Sequence, residues 1–295
     1  MDVAVLVSSV AGRGRATGVA ESVLSEFRRG GLDVRVLPAT TGAEAEKLAA
    51  DAVAAGVGAI AAVGGDGTVH AALQAVAGTG TPLAVIPAGT GNDLVRAVGI
   101  PAEPLAAARA AAEDLAAGAS RTVDLGRTAG RWWVTVLCCG FDSAVSDRAN
   151  RLRWPRGRRR YDVAVLAELA RLRPVELTLT LDGETQTLPI TMVAVGNTPW
   201  YGGGLNICPG ADPADGLFDV TVVGAITRLQ LMRTKPLLAT GRHVEHPAIT
   251  VHRAARVELA APGVTTYADG EPVAPLPAVA ECVPGALTVV GGGRG

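Results

Sequence analysis

The apolar residues in the first part of the chain come in short continuous runs: "DVAVLVS", "LDVRVL", "GAIAAV" and "PLAVI". Such runs, without polar alternation, suit strands buried on both faces, and helices between them supply the crossovers of a parallel sheet. Helices are predicted through about Arg28, over Ala43–Ala54, after each of two glycine-rich loops, and over the alanine-rich stretch Leu105–Ala117. From "RTVDLG" onward the pattern changes. "RWWVTVLCC" reads as one strand, and helical stretches flank the basic run "RLRWPRGRRRY". Strands with alternating patterning follow: "VELTLTL", "ETQTLPITMVAVG", "FDVTVVG", "AITVHR", "RVELAA", "VTTYA" and "ALTVV". Consecutive strands joined by turns predict a mostly antiparallel second domain. The expected fold is therefore α/β: an N-terminal parallel-sheet, three-layer domain over 1–122 and a β-rich, sandwich-like domain over 123–295. The boundary falls in Ala119–Asp124, and "GGGRG" reads as a tail.

Composition changes this picture only a little. At 295 residues the chain has enough length for two cores, and its formal charge of −1 gives no general attraction to nucleic acid. Lysine occurs only at Lys47 and Lys235, so arginine carries nearly all the positive charge. Cys138, Cys139, Cys208 and Cys282 lack metal-ligand spacing and read as buried, reduced thiols of a cytoplasmic protein. No signal-peptide pattern precedes "DVAVLVS", and the small-residue run Ala49–Val63 is too interrupted to span a membrane. His70, His243, His246 and His252 form no metal pattern and read as structural or surface residues.

Candidate chemistry lies in the two loops. In "VGGDGTVHAA", Gly64, Gly65 and Gly67 let backbone approach a ligand closely, and free N–H groups at the helix start favour phosphate. Thr68 is placed to cap that helix, although a plain strand–helix turn would use the same residues. In "IPAGTGNDLVRAVGIP", Gly89 and Gly91 flank Thr90, Asn92 can cap a short helix, and Asp93 lies in its first turn. Two such loops at the carboxyl ends of neighbouring parallel strands stand where open sheets bind ligands. Neither lysine follows a glycine loop, so this is not a P-loop, and no dinucleotide fingerprint is present. Phosphate charge must then be met by backbone N–H groups and Mg2+, with Asp66 or Asp93 helping to hold that ion, directly or through water.

"GGDGT" followed about twenty residues later by "PAGTGND" resembles the diacylglycerol kinase and lipid kinase family. "VAVGNTPWYGGGLNICPGADPADGLFDV" and "YADGE" resemble that family's later motifs, so the likeness covers nearly the whole chain. It implies an ATP-binding catalytic domain over 1–122, a lipid-substrate domain over 123–295, and transfer of phosphate from ATP to a lipid hydroxyl, that of diacylglycerol above all. Kinases of sphingoid bases or glycolipids, NAD kinase relatives and a non-catalytic nucleotide- or lipid-binding protein are the alternatives. The resemblance implies phosphate contacts from Gly64, Gly65, Asp66, Gly67 and Thr68, with Gly89, Thr90 and Asn92 closing the site and Thr40 contacting nucleotide. The first loop, Ser8, Ser9, Val10, Ala11 and Gly12, aligns with a segment that the family begins with Asn-Pro; here both are serine. Asp212, Asp215 and the Leu217 carbonyl match a family Mg2+ site.

Glu271 is the implied general base, with Asp66 and Asp93 organising Mg2+ and water. "DGE" occurs twice, however, and Asp182–Glu184 between alternating strands reads simply as a hairpin turn. The basic cluster Arg151–Tyr161, with Trp154 inside it, reads either as a solvated loop or as a peripheral contact with the inner face of the membrane. A lipid substrate and no nucleic acid are the expected partners, with room for a homodimer.

Overall fold

The computed structural model describes residues 1–8, 15–89, 91–152, 154 and 158–292, excepting the side chains of residues 8, 15–17 and 158. It divides into two compact units: Met1–Leu125 with Pro213–Asp215 and Val283–Gly295, and Gly126–Asp212 with Gly216–Cys282.

The first unit alternates strand and helix: β1 (Asp2–Ser8), α1 (Arg15–Arg29), β2 (Asp33–Ala39), α2 (Gly42–Ala54), β3 (Ala59–Gly64), α3 (Asp66–Val76), β4 (Leu83–Pro87), α4 (Asp93–Ala97), α5 (Pro104–Ala117) and most of β5 (Arg121–Thr128). β1 pairs in parallel with β2 and β3, and β3 with β4. α1 packs with α5 and α2 with α3, and every residue of β3 is buried, as a strand covered on both faces must be. Local signals set the helix ends. The Thr41 side chain accepts from Glu44 N–H to start α2, whose buried stripe is Ala45, Ala49 and Ala52. Glu103 accepts from Leu105 and Ala106 N–H ahead of Pro104, and Gly118 ends α5 at φ 65°.

The second unit contains β6 (Arg131–Trp133), β7 (Val136–Gly140), α6 (Phe141–Arg151), α7 (Arg158–Ala170), β8 (Val175–Leu181), β9 (Glu184–Gly196), β10 (Trp200–Tyr201), β11 (Leu205–Asn206), β12 (Phe218–Gly224), α8 (Arg228–Thr234), β13 (Ile249–Ala254), β14 (Arg256–Ala260), β15 (Thr265–Ala268), β16 (Glu271–Pro275) and the start of β17 (Ala278–Val290). Its pairings are antiparallel. The first half of β9 pairs with β8, and its second half with β7 and β12. One long strand thereby carries three partners within one sheet. Val193 and Val195 face a core with Trp133, Leu177, Phe218 and Leu259; Met192 and Ala194 face the opposite side with Ile207, Cys208 and Ile249. Trp133 stacks on Phe218 at 5.0 Å, and its ring occupies the place of a Cβ at Gly126, 2.1 Å away.

Two expectations change. "RWWVTVLCC" is two strands, because Val134 and Thr135 turn their N–H groups to the Asp269 carboxylate, at 3.0 Å each. The last strand is longer than "ALTVV", and its end pairs in parallel with β4 through Val289 and Val290. The first unit also includes Pro213–Asp215 and Val283–Gly295.

Candidate functional site

Gly64 at the end of β3 pairs with Pro87 at the end of β4, and Ala88 N–H donates to the Gly64 carbonyl at 2.8 Å. The two glycine loops therefore leave the sheet side by side. Their backbones touch: a Cβ on Gly89 would lie 2.4 Å from Gly65 Cα. Glycine here is a matter of space. α3 starts one turn earlier than a Thr68 cap requires, with Gly65 as N-cap and Asp66 and Gly67 in its first turn. Thr68 is buried instead, its Oγ1 filling the space where Gly64 would carry a side chain.

Asp66 ties the second loop to the first. Its Oδ2 accepts from Asn92 N–H at 3.2 Å, and its Oδ1 from Asp93 N–H at 3.3 Å. The same carboxylate stands where Gly91 would place a Cβ, 2.2 Å from Oδ2. Asn92 was expected to cap α4 with its own side chain. It adopts φ 57°, and its Nδ2 donates to Gly89 O at 3.3 Å, while Asp66 supplies the acceptor at the helix start. Asp93 is buried.

Thr40 is exposed just beyond β2, its N–H and Oγ1 both donating to Glu44 Oε2 at 2.7 Å. Ser8 is the last residue of β1. Ser9, Val10, Ala11, Gly12 and Thr90 lie outside the described residues.

In the second unit the two "DGE" copies make the same turn. Asp182 and Asp269 both have positive φ, 47° and 52°. Each carboxylate accepts from two successive backbone N–H groups: Ala255 and Arg256 for Asp182, Val134 and Thr135 for Asp269. Asp269 also accepts from Thr135 Oγ1 at 2.5 Å. Glu184 and Glu271 follow as the first residues of β9 and β16, and both carboxylates are exposed. The turn itself does not separate them.

Asp212 and Asp215 are exposed and Leu217 is half-buried on the loop before β12. Asp215 groups with the first unit, Asp212 and Leu217 with the second. Among the described residues no three His, Cys, Asp or Glu side chains converge as a metal set. Two carboxylates and a carbonyl on one short loop are nonetheless the hard oxygen donors that Mg2+ takes.

A cavity of about 130 Å3 opens in the second unit, walled mainly by apolar side chains of α7, β9 and α8, including Val165, Leu169, Met192, Leu231 and Met232. Five polar side chains interrupt that lining: Asp142, Tyr201, Thr234, Lys235 and His243. Tyr201 Oη donates a short hydrogen bond to Asp142 Oδ2. Burial pushes the Asp142 carboxyl up to about 6, against the opposing pull of that hydrogen bond. Burial also raises the Tyr201 hydroxyl well above its ordinary range. His243 Nε2 lies 3.0 Å from the Ile207 carbonyl, which can only accept, so Nε2 carries the proton and Nδ1 is left as an acceptor. That Nδ1 is buried with no hydrogen-bond partner among the described residues, and burial lowers the ring's affinity for a second proton. No local sequence signal marks the pairing of Asp142 with Tyr201 or of Asp269 with Thr135. Their partners lie far away along the chain.

Of the basic cluster, Arg151 ends α6 and pairs with Asp147 at 2.9 Å, Trp154 is 82% exposed, and Arg160 sits over the Tyr161 ring within α7. Arg153 and 155–157 lie outside the described residues. The four cysteines are free thiols, and burial pushes Cys139 and Cys208 up to about 12, which leaves them protonated and unreactive. No helix among the described residues is long and apolar enough to cross a membrane.

Residues 2–128 match the diacylglycerol kinase catalytic domain, and residues 135–291 match the YegS C-terminal NAD kinase beta sandwich-like domain. A diacylglycerol kinase of Mycobacterium tuberculosis is 44% identical over 98% of this chain and 94% of its own length. The crystal structure of a putative diacylglycerol kinase from Bacillus anthracis superimposes with a TM-score of 0.81 at 22% identity, covering 98% of this chain and 94% of that one. An NAD kinase from Archaeoglobus fulgidus, solved with ATP, shares the fold at a TM-score of 0.58 and 13% identity, covering 98% and 93%. The paired glycine loops, the β-rich second unit and a relative of this identity over nearly the full length lead to one assignment: the chain belongs to the diacylglycerol kinase family of lipid kinases.

Proposed function

We propose that the protein transfers the γ-phosphate of ATP to the free hydroxyl of diacylglycerol, giving phosphatidic acid and ADP. The observation that carries this reading is the tie between the glycine loops. It joins the loops at two neighbouring strand ends, next to the start of α3 and without a P-loop lysine. There Gly64, Gly65, Gly67, Thr68, Gly89 and Asn92 hold the phosphates, and Ser8–Gly12, Thr40 and Thr90 take the nucleotide-contacting roles that the family resemblance implies.

The donor set fits Mg2+: Asp212, Asp215 and the Leu217 carbonyl would hold an ion, and Asp66 and Asp93 would orient water around the phosphates. The ion neutralises phosphate charge when bound. Glu271 accepts the proton of the lipid hydroxyl as its oxygen attacks the γ-phosphorus and ADP leaves. The apolar cavity of the second unit takes acyl chain, and its lining favours diacylglycerol over a soluble dinucleotide. Sphingoid bases and glycolipids remain within the same reading as other lipid alcohols. The protein works in the cytoplasm at the inner face of the membrane, touching it through Arg151–Tyr161, alone or as a homodimer.

The test is transfer of labelled phosphate from ATP, with Mg2+, to diacylglycerol, a sphingoid base, a glycolipid and NAD, the lipids in mixed micelles. Diacylglycerol should be labelled fastest. Labelling of NAD alone would replace the lipid with a dinucleotide. ATP binding without transfer to any acceptor would make the protein a binding module.

A further inference from the structure

α8 starts with a capping box in which Thr227 Oγ1 accepts from Gln230 N–H and Gln230 Oε1 accepts from Thr227 N–H. Leu231 and Thr234 point inward. Leu231 packs against the face of β9 that carries Met192 and Ala194, and Thr234 is buried. The outer side combines apolar and cationic residues. Leu229 is 54% and Met232 57% exposed, and Arg228, Arg233 and Lys235 are exposed beside them. No acidic residue occurs from Gly224 through Val244. Met232 and Lys235 also line the apolar cavity, so this surface borders it. On the other wall, α7 carries exposed Val163 and Leu166 next to Val165 and Leu169 of the lining.

We propose that α8 and the 3-10 turn Lys235–Ala239 are the surface on which the protein seats on an anionic lipid bilayer, with the cavity mouth facing the membrane. Exposed apolar side chains bordered by cations, with no acid among them, match an interface of acyl chains under anionic headgroups. The same charge argues against a second copy of the chain as occupant, since a two-fold contact would set this cationic patch against itself. A soluble acidic protein would neutralise the arginines but offer nothing for Leu229 and Met232. The seat extends the lipid-kinase reading, and on that reading it delivers a substrate that resides in the bilayer.

The test is co-sedimentation with phosphatidylglycerol–phosphatidylcholine vesicles and with phosphatidylcholine vesicles. The protein should bind the first and not the second. Arg228→Ser with Arg233→Ser should weaken binding roughly thirtyfold, and Leu229→Ser roughly tenfold. Both variants should keep the parent's thermal midpoint, since these side chains are exposed. Arg228→Glu with Arg233→Glu repeats the test should the serine pair fold poorly. Absence of vesicle binding would overturn the proposal. So would binding unchanged in the α8 variants and lost in Arg159→Ser with Arg160→Ser. Phosphorylation of water-dispersed dioctanoylglycerol should survive in the α8 variants. If no lipid is phosphorylated while vesicle binding still depends on α8, the kinase reading fails and the seat stands.

Discussion

The Asp66 carboxylate occupies the space that a side chain at Gly91 would need, 2.2 Å from the ideal Cβ position. Both of its oxygens are engaged with the backbone of the next two residues, Asn92 and Asp93. Gly91→Ala should push the carboxylate out, loosen the second loop and weaken nucleotide binding. Asp66→Ala should remove both hydrogen bonds, costing about 1–3 kcal/mol in urea unfolding. If Asp66→Ala lowers ATP affinity with unfolding unchanged, the residue acts on the ligand and not on the loop.

Asp269 and Asp182 offer a matched pair of variants. Asp269→Ala frees Val134 N–H, Thr135 N–H and the Thr135 hydroxyl, and should lower kcat by displacing Glu271, with ATP binding kept. Asp182→Ala should cost similar stability and leave kcat alone. Glu271→Gln should abolish turnover with ATP still bound. Loss of turnover in Glu184→Gln instead would transfer the role of base to the other turn.

Asp142 predicts a pH dependence with a definite sign. Its folded carboxyl is raised from 3.8 to about 6 by burial, so the folded state holds the proton more tightly than the unfolded chain. The stabilisation from protonation is fully present below 3.8 and is lost as pH rises through 6. A rise of that size corresponds to about 3 kcal/mol for a fully buried group. Asp142→Asn should therefore be more stable than the parent at pH 8, with the advantage shrinking between pH 6 and 4. Tyr201→Phe should move the window upward, because the hydrogen bond from Tyr201 favours the charged form. Urea unfolding at pH 5 and pH 8 measures both.

Gly126→Ala would set a methyl 2.1 Å from the Trp133 ring, which is itself held by the stack on Phe218 and by the bond from Nε1 to Thr128 Oγ1 at 3.1 Å. Neither partner has free space, and overpacking of this kind costs about 1–3 kcal/mol or more. A thermal midpoint equal to the parent's would show that the ring can move.

The glycine loops were legible in the sequence because their signal is local. A strand end, small residues and a helix start occur within ten positions. The job of Asp66 was not legible, because its partners lie on another loop and only strand pairing brings them together. Asp142 and Tyr201 were hidden for the same reason: an ordinary aspartate and a tyrosine become a hydrogen-bonded pair only when β10 and α6 meet. The three-partner role of β9 was hidden differently, since both of its faces in the second half are buried and alternation no longer marks one side. One local signal went unread. Thr41 with Glu44 three residues on has capping-box spacing, and Glu44 is what engages Thr40.

β17 crosses from one compact unit to the other and ends against β4, the strand that leads into the second glycine loop. During synthesis, residues 1–125 are made first, yet the edge of their sheet stays open until Val289 and Val290 have been added. The unit that begins the chain is thus the one completed last. A nascent chain in which β17 has not yet been made would carry an unpaired β4 edge, an opportunity for wrong pairing that closes only when Val289 and Val290 arrive.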